Sequence, residues 1–260
     1  MIHATAIIDA RAELAEDVSV GPYTVVGPDV TVDSGCQIGP HVVLNGPTHL
    51  GKRNRIFQFA SVGEACQDKK YKGEPTTLVM GDDNVVREYV TLQRGTVQDR
   101  AETTIGDRNL FMAYVHVGHD CVVGHDTVFA NNATLAGHVH IGNGVILGGF
   151  TAVHQYCRLG HYCMTAMCTA VNRDVPAFVM AQGNLARARG MNVEGMRRRA
   201  YAASLITTLQ NAYKTIYRSG LTVQEAIVKL ERSEDQPQEL VWLIESLKSS
   251  QRGIVRCKFN

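Results

Sequence analysis

MIHATAIIDARAELAEDVSVGPYTVVGPDVTVDSGCQIGPHVVLNGPTHLGKRNRIFQFASV, residues 1–62, carries an aliphatic side chain at every sixth position without a miss. The series runs Ile2, Ile8, Leu14, Val20, Val26, Val32, Ile38, Leu44, Leu50, Ile56, Val62. It lapses after Val62, returns at Met80, Val86 and Leu92, lapses again, and resumes from Ile105 through Phe111, Val117, Val123, Phe129, Leu135, Ile141, Leu147, Val153 and Leu159. Four places after most of the aliphatics stands a small or β-branched residue, as at Val18, Thr24, Cys36, Val42, Ala60, Cys121, Thr127, Ala133 and Cys157. A helix repeats near 3.6 residues and a strand every two, so a sustained period of six marks a repeat architecture.

Each hexad makes a short strand and a corner, and three hexads close one triangular turn. Eighteen residues then return the chain to the same column, one strand spacing (~4.8 Å) further along the axis. Glycine often follows the aliphatic, as at Gly21, Gly39, Gly118 and Gly148. There it is expected to relax the corner by adopting φ > 0. The pattern resembles the hexapeptide-repeat family of left-handed parallel β-helices. Handedness is implied by that resemblance and not by the period.

Over 260 residues, aromatics make up only 7% and formal charge is +1. Scarce aromatics suit a narrow solenoid interior, and near-neutrality argues against non-specific nucleic-acid binding. No signal peptide or membrane-spanning run is legible, so no membrane insertion is expected. The seven cysteines lack CxxC spacing, and Cys36, Cys121, Cys157 and Cys163 fall in the small-residue slot, where thiols act as small hydrophobes. The chain reads as reduced and cytoplasmic.

The coil is expected to span residues 1–189, with loops ejected near 64–78 and 93–104. From 190 to 260 the texture becomes helical. Leu205, Leu209, Tyr213, Ile216 and Tyr217 give a helix within Met196–Arg218, closing at Gly220. Thr222 with Glu225 reads as a capping box, and Asp235–Pro237 opens a further helix.

Multiplied by three, the period locates a chemical cluster. His119, Gly137 and Gln155 share a column; Asp120, His138 and Tyr156 form the next, and Gly118, Ala136 and His154 the one before. With His116, four imidazoles, an acid, a Gln and a bare glycine amide converge within about two coil spacings, or ~10 Å. Histidine suits proton transfer near neutrality, and a glycine N–H can donate to an oxyanion. Two chemistries fit: three His around zinc, as in γ-type carbonic anhydrases of the same fold, or acyl transfer with one His as base.

The strings NLFMAYVHVGHDCVVG, ANNATLAGHVHIG, GGFTAVHQYCRLG, DVPAFVMAQGN and GMNVEGMRRR closely resemble the acyl-carrier-protein-dependent UDP-N-acetylglucosamine O-acyltransferases. So do QFASVGEACQDKKYKGEPT, REYVTLQRGT and NAYKTIYRSG. The resemblance covers nearly the whole chain, weakening in the last ~30 residues. It implies transfer of an (R)-3-hydroxyacyl chain from acyl carrier protein to the glucosamine 3-hydroxyl, the first step of lipid A synthesis. Implied with it are a homotrimer with sites between subunits and no cofactor, the donor arriving on the carrier's phosphopantetheine.

Carried over residue by residue, the resemblance makes His119 the general base, Asp120 its orienting carboxylate and Gly137 N–H the oxyanion donor. Adjacent strand residues face opposite ways, so a corner must rescue the His119–Asp120 contact. His116, His138, His154 and Gln155 would contact substrate, and Asp68 and Lys70 the glucosamine. Asn192, Glu194, Arg198 and Arg199 would handle the nucleotide; paired guanidinium forks suit a diphosphate. Met167 stands where relatives accepting long chains often carry Gly, implying a groove shorter by about four carbons and a donor near ten carbons. Lys69 and Leu185 also depart from the family pattern. The rivals are an N-acyltransferase of the same pathway, which normally has an extra N-terminal uridine-binding domain, and the γ-carbonic anhydrase-like zinc enzyme.

Overall fold

A computed structural model describes residues 1–257. Each hexad forms a two- to four-residue strand, and strands one coil apart pair in parallel, as in Val25↔Val43, Ser61↔Val43 and His116↔Thr134. Three sheets result, of nine, eight and ten strands among the described residues. They form the faces of a triangular prism, a left-handed parallel β-helix. The first face runs from Ile7–Ile8 to Ala170–Val171, the second from Glu13–Leu14 to Arg158–Leu159, and the third from Ser19–Val20 to Arg187–Met191. Aliphatic and small slots both point inward: Leu44, Leu92, Leu135, Val42, Ala133 and Cys157 are all fully buried.

The corners differ from expectation in one respect. Of the glycines that follow the aliphatic residues, only Gly63 has φ in the left-handed region. The left-handed residue is instead the one three places after the aliphatic, and it is usually not glycine. Tyr23, His41, Phe59, Tyr89 and Tyr114 take φ between 55° and 65° at one edge, and Asp120, His138 and Tyr156 take 57°, 63° and 64° at another. A left-handed L-residue costs about 1–2 kcal/mol, and stacking offsets it: successive rings from Tyr23 to Tyr114 lie 4.9 to 5.3 Å apart.

Glycine follows the aliphatic for a different reason, the close approach of the next coil. A Cβ at Gly148 would lie 2.6 Å from the Ala166 carbonyl carbon and 2.7 Å from the Met167 nitrogen.

After the last coil, strand Val179–Gln182 turns back antiparallel onto Arg187–Met191. Helices α1 (Val193–Arg198), α2 (Ala203–Arg218), α3 (Val223–Glu231) and α4 (Gln238–Lys248) follow. The helix expected over Met196–Arg218 is thus two, broken where Ala200 takes φ 57°. The Thr222–Glu225 capping box is present on α3. The helices bury Leu209, Ile227, Leu243 and Ile244 against Ala177 and Phe178 at the end of the coil. Buried Asp174 fastens the join, accepting from Arg158 N, Ser250 Oγ, Gln251 N and Arg252 N. No helix among the described residues is long and apolar enough to cross a membrane.

Gly148→Ala is expected to lose about 1–3 kcal/mol through overpacking between coils, read as a lower urea midpoint. An unchanged midpoint would show that the coils separate freely there.

Candidate active site

Strand His116–Val117 leads into the corner between the first and second faces. Because Asp120 is left-handed, its side chain swings to the same side as that of His119. His119 Nδ1 then donates to Asp120 Oδ2 at 2.8 Å, leaving Nε2 with its lone pair free. The second ejected loop completes the carboxylate's shell: Thr96 N donates to Oδ1 at 2.9 Å and Thr96 Oγ1 to Oδ2 at 2.6 Å. Burial alone would raise the Asp120 pKa, but the hydrogen bonds from His119 and Thr96 outweigh it and hold the group below the ordinary carboxylate range. Asp120 is therefore a buried anion whose charge is matched by donors.

One coil on, Gly137 lies directly beneath His119. A Cβ there would overlap His119 Cε1 and Nε2, so only glycine lets the imidazole lie against the backbone. No acceptor among the described residues takes the Gly137 N–H. His138, in the column of Asp120, stacks on Tyr156 at 4.4 Å and meets the His119 ring edge-on at 4.8 Å. Its Nδ1 donates to Asp99 Oδ2 at 2.7 Å. His116 shares a hydrogen bond with Thr91 Oγ1 at 2.7 Å; burial, and secondarily His119, pushes its pKa down. His154 and Gln155 are exposed on the following coil, with His154 Nδ1 donating to the Gln155 carbonyl at 3.1 Å.

Asp68 and Lys70 lie on the first loop, where Asp68 Oδ1 accepts Lys70 N at 2.9 Å. The two loops touch through Arg94 Nη2 and the Tyr71 hydroxyl at 3.2 Å. Cys66 is buried at the base of the first loop; its thiol is pushed up mainly by burial, with the charges of Asp68 and Asp120 adding.

The residues expected to hold the nucleotide sit elsewhere on this chain. Asn192 is buried as the N-cap of α1, its Oδ1 accepting Gly195 N and its Nδ2 donating to Tyr162 O. Its amide is thus engaged in holding the helix. Glu194 and Arg198 form an exposed pair at 3.2 Å. Arg199 lies over the Tyr162 ring at 4.9 Å, at the corner between the second and third faces. Met167 is 70% exposed, at the corner between the third and first faces. The chain therefore gathers His116, His119, Asp120, Gly137 and His138 at one corner, and holds the residues expected at the nucleotide, and Met167, at others.

The sequence reading missed Thr96 and Asp99, which contact both imidazole–carboxylate units. Both lie in the second lapse of the repeat, where the column arithmetic does not apply.

Residues 174–255 match the profile described as UDP-N-acetylglucosamine O-acyltransferase, domain 2, and residues 11–46 and 102–137 match the bacterial transferase hexapeptide. The acyl-(acyl-carrier-protein)–UDP-N-acetylglucosamine O-acyltransferase of Stutzerimonas stutzeri is 54% identical over 98% of this chain and 99% of its own. The chain belongs to this O-acyltransferase family. Its Pseudomonas paraeruginosa member is 56% identical over 98% of this chain and 99% of its own. Among solved structures, LpxA from Acinetobacter baumannii superposes with a TM-score of 0.96 at 50% identity, covering 98% of this chain and 99% of that one. The Moraxella catarrhalis UDP-N-acetylglucosamine O-acyltransferase gives 0.96 at 46%, with the same coverage.

Beside the site of this family member, on the second face, His140 is pushed down from 6.5 to about 4, first by burial and then by Arg158 and Arg100. Between those two values the unfolded chain binds more protons than the folded one, so stability is full above the unfolded value and falls as the pH drops toward the folded one. His140→Gln is expected to flatten that part of a plot of denaturation midpoint against pH. A slope as steep as wild type would clear His140 of the effect.

Proposed function

We propose that the chain transfers an (R)-3-hydroxyacyl group from acyl carrier protein to the 3-hydroxyl of UDP-N-acetylglucosamine, opening lipid A synthesis. The observation that carries this reading is His119, its Nδ1 turned to buried Asp120 and its Nε2 bare above Gly137. Nε2 takes the proton from the sugar hydroxyl as that oxygen attacks the thioester carbon. The Gly137 N–H receives the oxyanion, and collapse breaks the C–S bond. The proton on His119 then passes to the departing thiolate of the carrier's phosphopantetheine. No covalent acyl-enzyme is required, because the acceptor oxygen is itself the nucleophile. Asp120 stabilises the imidazolium formed on the way.

His116, His138, His154 and Gln155 line the acceptor and donor sides, Asp68 and Lys70 reach the glucosamine, and Glu194, Arg198 and Arg199 the diphosphate and nucleoside. Asn192 acts by setting the start of α1. The names of the relatives support the O-acyl reading over the N-acyl and zinc alternatives. The basic stretch Arg197–Arg199 suits the acidic surface of a carrier protein. Placement of the nucleotide residues away from His119 on one chain supports a homotrimer with sites between subunits; a cytoplasmic location and the lack of a cofactor rest on the family resemblance.

With UDP-N-acetylglucosamine and 3-hydroxyacyl carrier proteins, His119→Ala is expected to lose roughly 10²–10⁴-fold in kcat, the usual worth of a general base. Undiminished product would remove His119 from that role.

Met167 fills the far end of the acyl groove, so the favoured donor is near ten carbons. In competition between ten- and fourteen-carbon donors, Met167→Gly is expected to move preference toward the longer one. Wild type preferring fourteen carbons would refute the assignment.

A further inference from the structure

Two imidazole–carboxylate pairs stand side by side at this corner, and they compete for one oxygen. Asp120 Oδ2 lies 2.8 Å from His119 Nδ1 and 3.9 Å from His138 Nδ1. That oxygen already accepts the Thr96 hydroxyl and the His119 N–H. A shift of roughly 1 Å, well within side-chain motion, would bring the His138 N–H onto it as a third donor. What holds His138 back is Asp99, whose Oδ2 takes the Nδ1 proton at 2.7 Å. Asp99 comes from outside the coil: the second loop tightens as Thr96 O accepts Ala101 N at 2.9 Å and Asp99 N at 3.3 Å. One turn of loop thus delivers Thr96 to the first pair and Asp99 to the second.

We infer that Asp99 is a positioning residue for the acyl transfer, holding the Nδ1 proton of His138 so that Asp120 serves His119 alone. The inference rests on the reading of His119 as the base. It gives the loop a task in the reaction beyond closing over the corner. It also fixes what His138 offers to substrate: in the neutral ring with Nδ1–H engaged, Nε2 is an acceptor. It suits a hydroxyl or amide N–H of the acceptor sugar. With Asp99 neutralised, His138 turns to Asp120, the base loses part of its orienting contact, and the loss falls mainly on kcat.

The test uses the full chain. Asp99→Asn is expected to lower kcat by roughly 10- to 100-fold, the scale of a small misplacement of a reacting group. KM for UDP-N-acetylglucosamine should change less, and Asp99→Glu should recover part of the loss. The ¹⁵N ring spectrum of His138 should show the Nδ1–H form in wild type and lose it in Asp99→Asn. In a His138→Phe background, which removes the competing N–H and keeps a ring on Tyr156, Asp99→Asn should cost nothing further. Wild-type kcat in Asp99→Asn, or an equal kcat loss in the His138→Phe background, would overturn the inference. If wild type makes no acylated sugar nucleotide, the base reading falls, whereas the ring spectrum still reports whether Asp99 holds the proton.

Discussion

The ladder of backbone hydrogen bonds between coils is the constraint on which everything else depends. Gly21 N donates to Ile38 O at 2.8 Å, Gly39 N to Ile56 O at 2.7 Å, and His138 N to His119 O at 2.9 Å. Satisfying each amide with the coil above or below fixes the rise, so every side chain must live with its column mates. Inside, Asn54, Asn84 and Asn109 each accept an amide of the next coil, from Asn84, Asn109 and Thr127. Outside, one edge stacks rings from Tyr23 to Tyr114. A second alternates charge, pairing Arg53 with Asp83 and Arg108 with Asp126. The corner that carries His119 and Asp120 is the third edge, built by the same stacking.

That constraint also explains what was legible in the sequence. The period gave the inward slots, and its triple put His119 over Gly137 and Asp120 beside them, because hydrogen-bonded coils cannot slip by one residue without exposing their cores. The period is silent on backbone sign, so it assigned the left-handed corner to glycine when tyrosine, aspartate and histidine occupy it. It is equally silent wherever the step changes. Ser61 pairs with Thr91 and Thr91 with His116, steps of 30 and 25 in place of 18. Thr96 and Asp99 lie inside the second of these stretches, and no column contains them. Asn192 could be picked out by resemblance, but its capping bonds become visible only once α1 is built.

A convex prism cannot fold two of its edges into one pocket. His119 stands on the edge between the first and second faces, Arg199 on the next, and Met167 on the remaining one. The roles proposed for His119, Arg199 and Met167 on one pair of substrates therefore call for another copy alongside, presenting a different edge. The rigidity that aligns His119 within its column also keeps these three edges apart on a single chain.

The carboxylates that bond His119 and His138 reach them by different routes. Column mates are about 4.8 Å apart in their backbones, a distance at which rings stack, as His138 and Tyr156 do, and which longer side chains bridge, as Arg108 does to Asp126 at 2.8 Å. The carboxylates that bond His119 and His138 enter from a neighbouring column and from outside the repeat. Asp120 takes the first route, through a left-handed corner that turns it back beside His119. Asp99 takes the second, on a loop that the coil ejects while keeping its faces in register. Both carboxylates of this constellation thus sit where the repeat bends or lapses, and the column spacing alone prescribes neither contact.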